Sequence, residues 1–147
     1  MKLIDTDETI VLVTGSALTA EERDRPTAYT LKAEIDRRGE GHTYRRAVVV
    51  GDVWYLENRI FHLNPTIAIG GPGANGVSSE LAQALPTLLS VDDRVFVQAD
   101  FEGDLKRASL WGVDAGATAQ AVEMFVGQGF LDELLQKIWR FRAGTFV

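Results

Sequence analysis

Cysteine is absent from the chain, which excludes disulfides, thiolate zinc sites and a cysteine nucleophile. Histidine is scarce. His42 sits in the polar stretch Gly41-His42-Thr43 and His62 in Ile60-Phe61-His62-Leu63; without a serine or glutamate at useful spacing neither builds a triad, and His62 reads as a half-buried structural residue. Cations are in deficit, 15 Lys and Arg against 21 Asp and Glu for a net charge of -6. No electrostatic footprint for nucleic acid follows from that balance. The pairs Arg37-Arg38 and Arg45-Arg46 flank a helix end and the next strand, where cations suit the dipole and stay solvated. No apolar run approaches the roughly 20 residues that cross a bilayer, so no membrane partner is expected. Met1-Lys2-Leu3-Ile4 passes at once into Asp5, Asp7 and Glu8 instead of an apolar leader core. The expected location is cytoplasmic, with the cell surface open if a leader has been cut away.

What is present is enough for one ordinary core: 147 residues, 46% hydrophobic, read as a single domain over 1–147. Ile10–Thr14, Ala47–Val50, Thr66–Ile69, Arg94–Ala99 and Ala108–Trp111 are short apolar runs of the kind that form buried strands, and Val53–Leu56 reads as an extension of the second or a short edge piece. Between them, Thr19 and Glu22 fit a capping box, while Pro26 places the main first helix from near Asp24. Its apolar face is Ala28, Leu31 and Ile35, and Gly39 is its stop. Val77–Leu85 forms a helix ended by Pro86. Asp114 or Thr118 caps another, facing inward with Ala121, Val122, Phe125 and Val126. A last helix presents Leu131, Leu134, Leu135, Ile138 and Phe141. Alternation of this kind predicts a three-layer α/β domain, Rossmann-like or flavodoxin-like, with a mostly parallel sheet and helices on both faces. Asp100–Arg107 accommodates no helix, so the last two strands are expected to be antiparallel neighbours joined at Glu102-Gly103-Asp104.

In such sheets ligands collect beyond the carboxyl ends of the strands. The groups predicted there are Gly15, Ser16, Asp52, Gly71, Gly73, Asn75, Gly76 and Asp114, with Asp100 a further candidate. Gly70-Gly71-Pro72-Gly73-Ala74-Asn75-Gly76 leads from a strand into a helix start, an arrangement whose amides suit an anion. Arg23, Arg25 and Lys32 are the cations that could assist. Glycines there also serve positive φ, and Asn75 serves as a turn or cap residue. Gly71, Gly73 and Gly76 match Gly-x-Gly-x-x-Gly, but after the third strand; a P-loop is excluded by the missing Gly-Lys-Ser/Thr. Asp52, Asp100 and Asp114 would suit Mg²⁺ if they converged, yet strand-end aspartates are more often caps, so no metal site is assigned. Glu80 is a conceivable hydrolytic carboxylate that dipole compensation explains equally. No cofactor is specified.

Ile67–Leu81, with Gly70-Gly71-Pro72-Gly73-Ala74-Asn75 followed by Glu80-Leu81, is similar to the Gly-Gly-Pro-x-Ala-Asn segment of the C-terminal domains of archaeal S-layer proteins. Ala108–Thr118 resembles the same family's strand, glycine and Asp-Thr helix start, with Trp111 and Val113 departing at the aromatic position. Over residues 66–126 the resemblance implies a Rossmann-like module in a non-catalytic, structural or protein-interaction role, and it brings no catalytic residues. The alternative is a domain binding a small anionic ligand such as a nucleotide or sugar phosphate, with a weak hydrolase or transferase activity conceivable. A homodimer is expected through the last helix, because Trp139 and Arg140-Phe141-Arg142 add apolar surface beyond one stripe.

Overall fold

The structure, a computed structural model, describes residues 4–139. Strand β1, Ile10–Thr14, is buried along its whole length, as a central parallel strand must be when both faces are covered. It pairs in parallel with β2, Ala47–Gly51, on one side and with β3, Thr66–Ile69, on the other, with Thr14 opposite Gly51 and Val13 opposite Ala68. β3 continues in parallel to β6, Arg107–Gly112. Beyond β6 the sheet turns antiparallel, through β5, Val95–Asp100, to β4, Thr87–Val91. The order is β2-β1-β3-β6-β5-β4.

The sheet is therefore mixed, and the expectation of a mostly parallel one is corrected in its second half. A parallel neighbour needs a crossover of a dozen or so residues, and the links from β4 to β5 and from β5 to β6 are too short to supply one. The antiparallel pairing across Asp100–Arg107, expected from the missing helix, is present. β4 itself lacks a buried-strand pattern because it follows Pro86 directly and is mostly exposed. Its turn into β5 uses Asp92 and Asp93, both left-handed at φ 53 and 51, where asparagine-glycine would have been the recognisable signal.

Side-chain alternation sends successive residues to opposite faces. Ile10, Leu12, Ile67, Ile69 and Leu110 meet helices α2 (Arg25–Arg38), α5 (Ala115–Gly127) and α6 (Phe130–Ile138) through Leu31, Ile35, Phe125, Leu131 and Leu134. Val11, Val13 and Ala68 meet α3 (Asp52–Glu57) and α4 (Gly76–Ala84) through Tyr55, Val77 and Leu81. The short α1, Leu18–Arg23, leads into α2 without the Thr19 capping box, since no side chain caps it. Val53–Leu56 is helical, not extended: Asp52 opens α3 and its carboxylate accepts the Val53 amide at 2.8 Å, a contact that stabilises a helical first turn.

The α6 face Leu131, Leu134, Leu135 and Ile138 is buried within the chain, while Phe141 and Arg140-Phe141-Arg142 lie outside the described residues. Trp139 does not add free apolar surface. It packs on the main core, its Nε1 donates to the Glu8 carbonyl at 2.8 Å, and its ring lies 5.9 Å from the Arg45 guanidinium.

Candidate functional site

The chain leaves β1 toward β2 and leaves β2 for β3 on the opposite side of β1, so the loops after β1 and β3 diverge over the middle of the sheet. Such a switch of direction opens a crevice at the carboxyl ends of the strands. Gly15 lets the two loops touch. A Cβ on it would lie 1.9 Å from the Ala74 carbonyl oxygen, so its part is close approach of backbone to backbone.

Asn75 fastens the crevice from below. Its Nδ2 donates to the carbonyls of Val13 at 2.9 Å and Ile69 at 3.1 Å, binding the ends of β1 and β3 together. Its Oδ1 accepts from the amides of Val77 and Ser78, capping α4. Asp52 completes the arrangement from β2. It accepts from the Ser16 amide at 3.0 Å, the Ser16 hydroxyl at 2.6 Å, the Val53 amide and the Gly76 amide at 2.7 Å. Burial pushes its carboxyl up, but these donors, Gly76 first, outweigh burial and hold it below the ordinary carboxylate range. The amides of Ala74 and Asn75 in turn donate to the Gly71 carbonyl. From Ala74 through Ser78, every amide has a partner inside the chain.

Gly15, Ser16, Asp52, Asn75 and Gly76 thus come together, as a structural knot. Gly71, Gly73 and Asp114 lie on its far side, facing a cleft of about 380 Å³ bounded by the α1 turn with Asp24, the loop after β3, and Trp111–Ala115 with Thr118. Neither Gly71 nor Gly73 is left-handed; the positive φ of the loop belongs to Gly70, at 114°. A Cβ on Gly73 would meet nothing within 4 Å. Asp114 accepts the Ala117 amide at 2.8 Å, capping α5, and pairs with Arg94, so its carboxyl is held below the ordinary range, chiefly by the Ala117 amide.

Asp24 is the residue that sequence reasoning missed as a site group. It precedes α2, yet its side chain makes no cap hydrogen bond. It is only 6% exposed, and among the described residues no donor reaches its carboxylate. Burial raises its pKa and the neighbouring Arg23 charge only partly offsets that. Its Oδ2 lies where a Cβ on Gly70 would come within 2.6 Å, so that glycine leaves room for the carboxylate. The helix-start position hid it, because an aspartate there is read as a cap.

Other candidates disperse. Asp100 closes an antiparallel strand and lies opposite Arg107, at the amino end of the parallel strands and away from the crevice; its carboxylate accepts the Glu102 amide. Among the described residues no cluster of acidic or histidine side chains is arranged to hold a metal. His62 stacks on Tyr55 at 4.3 Å and bonds its carbonyl, a packing role. Of the three possible assisting cations, Lys32 is bound to Asp36 and the Ala47 carbonyl and Arg25 to Glu21. Arg23 alone of these borders the cleft. No protein-family model and no curated protein sequence matches this chain.

Proposed function

We propose that this chain is a small-molecule-binding domain of Rossmann-like or flavodoxin-like type, whose ligand enters the cleft at the carboxyl ends of β1, β3 and β6. The observation that carries this reading is Asp24, a buried carboxylate facing that cleft without a protein donor. Buried polar groups in proteins are almost always hydrogen-bonded, and exceptions collect at sites that receive a ligand. The cleft's volume falls in the range of small-molecule sites, and Pro72, Trp111 and Val113 give it apolar walls. An anionic ligand is the weaker choice, because the amides from Ala74 through Ser78 are engaged within the chain and the Asp24 carboxylate faces the cleft. Amide-resolved NMR with a library of small metabolites tests the proposal. Shifts should gather at Thr19–Asp24, Gly71–Ala74 and Trp111–Ala115, and should vanish in Gly73→Trp, which fills the open space without touching the core. Shifts confined to α3, or unchanged by the plug, would refute it.

A second reading, the non-catalytic interaction module implied by the resemblance to S-layer domains, is favoured by one observation. Trp54 rests on Phe61 at 5.1 Å, and beside them Val53, Leu56, Ile60 and Leu63 are exposed on α3 and the following turn. A clustered apolar surface of this kind marks interfaces. If a homodimer forms, this is a better contact than α6. Sedimentation of Trp54→Ser combined with Ile60→Ser decides it: a concentration-dependent dimer in the wild type should be lost, and a monomer in both would remove the reading.

A further inference from the structure

We propose that the ligand of the cleft is a small organic cation whose ammonium group seats on the Asp24 carboxylate; this rests on the reading of the cleft as a binding site. The carboxylates and the amide side chain around the strand ends differ in one respect. Asp52 accepts four hydrogen bonds, Asn75 makes four, and Asp114 takes an amide and a guanidinium. Asp24 takes none, although it is more deeply buried than Asp52. Its oxygens open only onto the cleft, and a carboxylate so little hydrated is served best by a group that brings both charge and N–H donors.

The alternatives fit less well. A neutral polyol would donate hydrogen bonds but leave the buried charge uncompensated. A phosphate would meet the Asp24 carboxylate with only Arg23 among the cleft cations to offset it, Asp114 being already paired with Arg94, in a chain of net charge -6. Space for the head group is built in, since Gly70 at φ 114° puts no side chain against Oδ2. The apolar body of an amine would lie along Pro72, Ala74 and Val113 toward the Trp111 edge, which is where a cation with a short hydrocarbon or aromatic body, and not a bare metal ion, gains contact area.

The test titrates the full chain with benzylamine, its neutral isostere benzyl alcohol, D-ribose and inorganic phosphate, by calorimetry and amide NMR. Benzylamine should bind saturably with shifts at Asp24 and Gly70–Ala74, and benzyl alcohol, ribose and phosphate should not. Asp24→Asn should weaken the amine by roughly tenfold or more, the loss expected for one charge-assisted hydrogen bond, while circular dichroism stays native. Asp24→Glu serves as the second variant and should retain part of the affinity. Equal amine binding by wild type and Asp24→Asn would overturn the assignment. Binding of ribose or phosphate in place of the amine, blocked by Gly73→Trp, would overturn the cation and leave the cleft standing. Absence of any cleft response to all four probes would overturn the cation and count against the cleft itself.

Discussion

Truncating Asn75 to alanine should destabilise the fold more than loss of any ordinary helix cap, because the side chain does two jobs in a space that is 1% exposed. Removing Oδ1 frees the Val77 and Ser78 amides of α4, a cap loss of about 1 kcal/mol. Removing Nδ2 strips donors from the Val13 and Ile69 carbonyls, and each buried acceptor so deprived costs about 1 kcal/mol at the low end. The expected total is about 3 kcal/mol, a sizeable part of the 5–15 kcal/mol or so that holds a domain together. Asp114→Ala is the internal control. Asp114 caps α5 through Ala117 but is exposed and its pair with Arg94 lies in solvent, so its loss should cost clearly less than that of Asn75. Urea unfolding, read as the shift in midpoint at constant slope, measures both. Asn75→Ser separates the two jobs, since a serine hydroxyl can cap α4 but cannot reach two carbonyls. If Asn75→Ala costs no more than Asp114→Ala, the bridge between β1 and β3 contributes nothing and the reasoning fails.

Asp52, with its carboxyl held below the ordinary value of 3.8, contributes stability that is whole above that value and is lost as pH falls through the folded one; Asp52→Asn should flatten the acid limb of a stability–pH curve. Asp24 has the opposite sign: its carboxyl is raised above 3.8, so stability falls as pH climbs from 3.8 through the folded value, and Asp24→Asn should remove that decline and leave the protein more resistant to urea at neutral pH. Asp93→Gly should raise the thermal midpoint, by relief of about 1 kcal/mol at a left-handed position; an unchanged or lower midpoint would mean the aspartate is comfortable there. Gly15→Ala should fail to fold or lose several degrees of midpoint, because its Cβ collides with backbone and not with a movable side chain; a native-like midpoint would contradict the close approach of the two loops.

The parallel half of the fold was legible because its inner strands are buried on both faces and so read as unbroken apolar runs, Ile10–Thr14 and Thr66–Ile69. Helix α2 was legible through Pro26 at its start and Gly39 at its stop, and Asp114 announced α5. The errors share a cause. Val53–Leu56 is rich in strand-favouring residues, but its conformation is decided by Asp52 and the Ser16 and Gly76 groups far away in sequence, which local propensity cannot see. β4 is an edge strand whose partner, β5, supplies the pairing that its own composition only half suggests. In the candidate site the sequence marked the loop and left its role between an anion site and architecture. At the helix end of that loop the amides are taken by Asn75, two residues from the amide it caps, and by Asp52, which arrives from another strand.

The two buried aspartates show how one fold can use the same side chain in contrary ways within a few strands' width. Asp52 stands at the end of β2 where amides from two other loops converge, so its charge is matched and it works as a strut, tying the β1 loop to the first turn of α4. Asp24 stands where the chain passes from α1 to α2, and the backbone around it is committed elsewhere: its own amide to Ala20 and the Ala28 amide to its carbonyl. Among the described residues no donor reaches its carboxylate, and Gly70 puts no side chain against Oδ2. A group held at such a cost persists when something other than stability maintains it. The negative charge at the first turn of α4 is Asp52's own, within the knot, and the cation proposed for the cleft would sit on the other side of the loop.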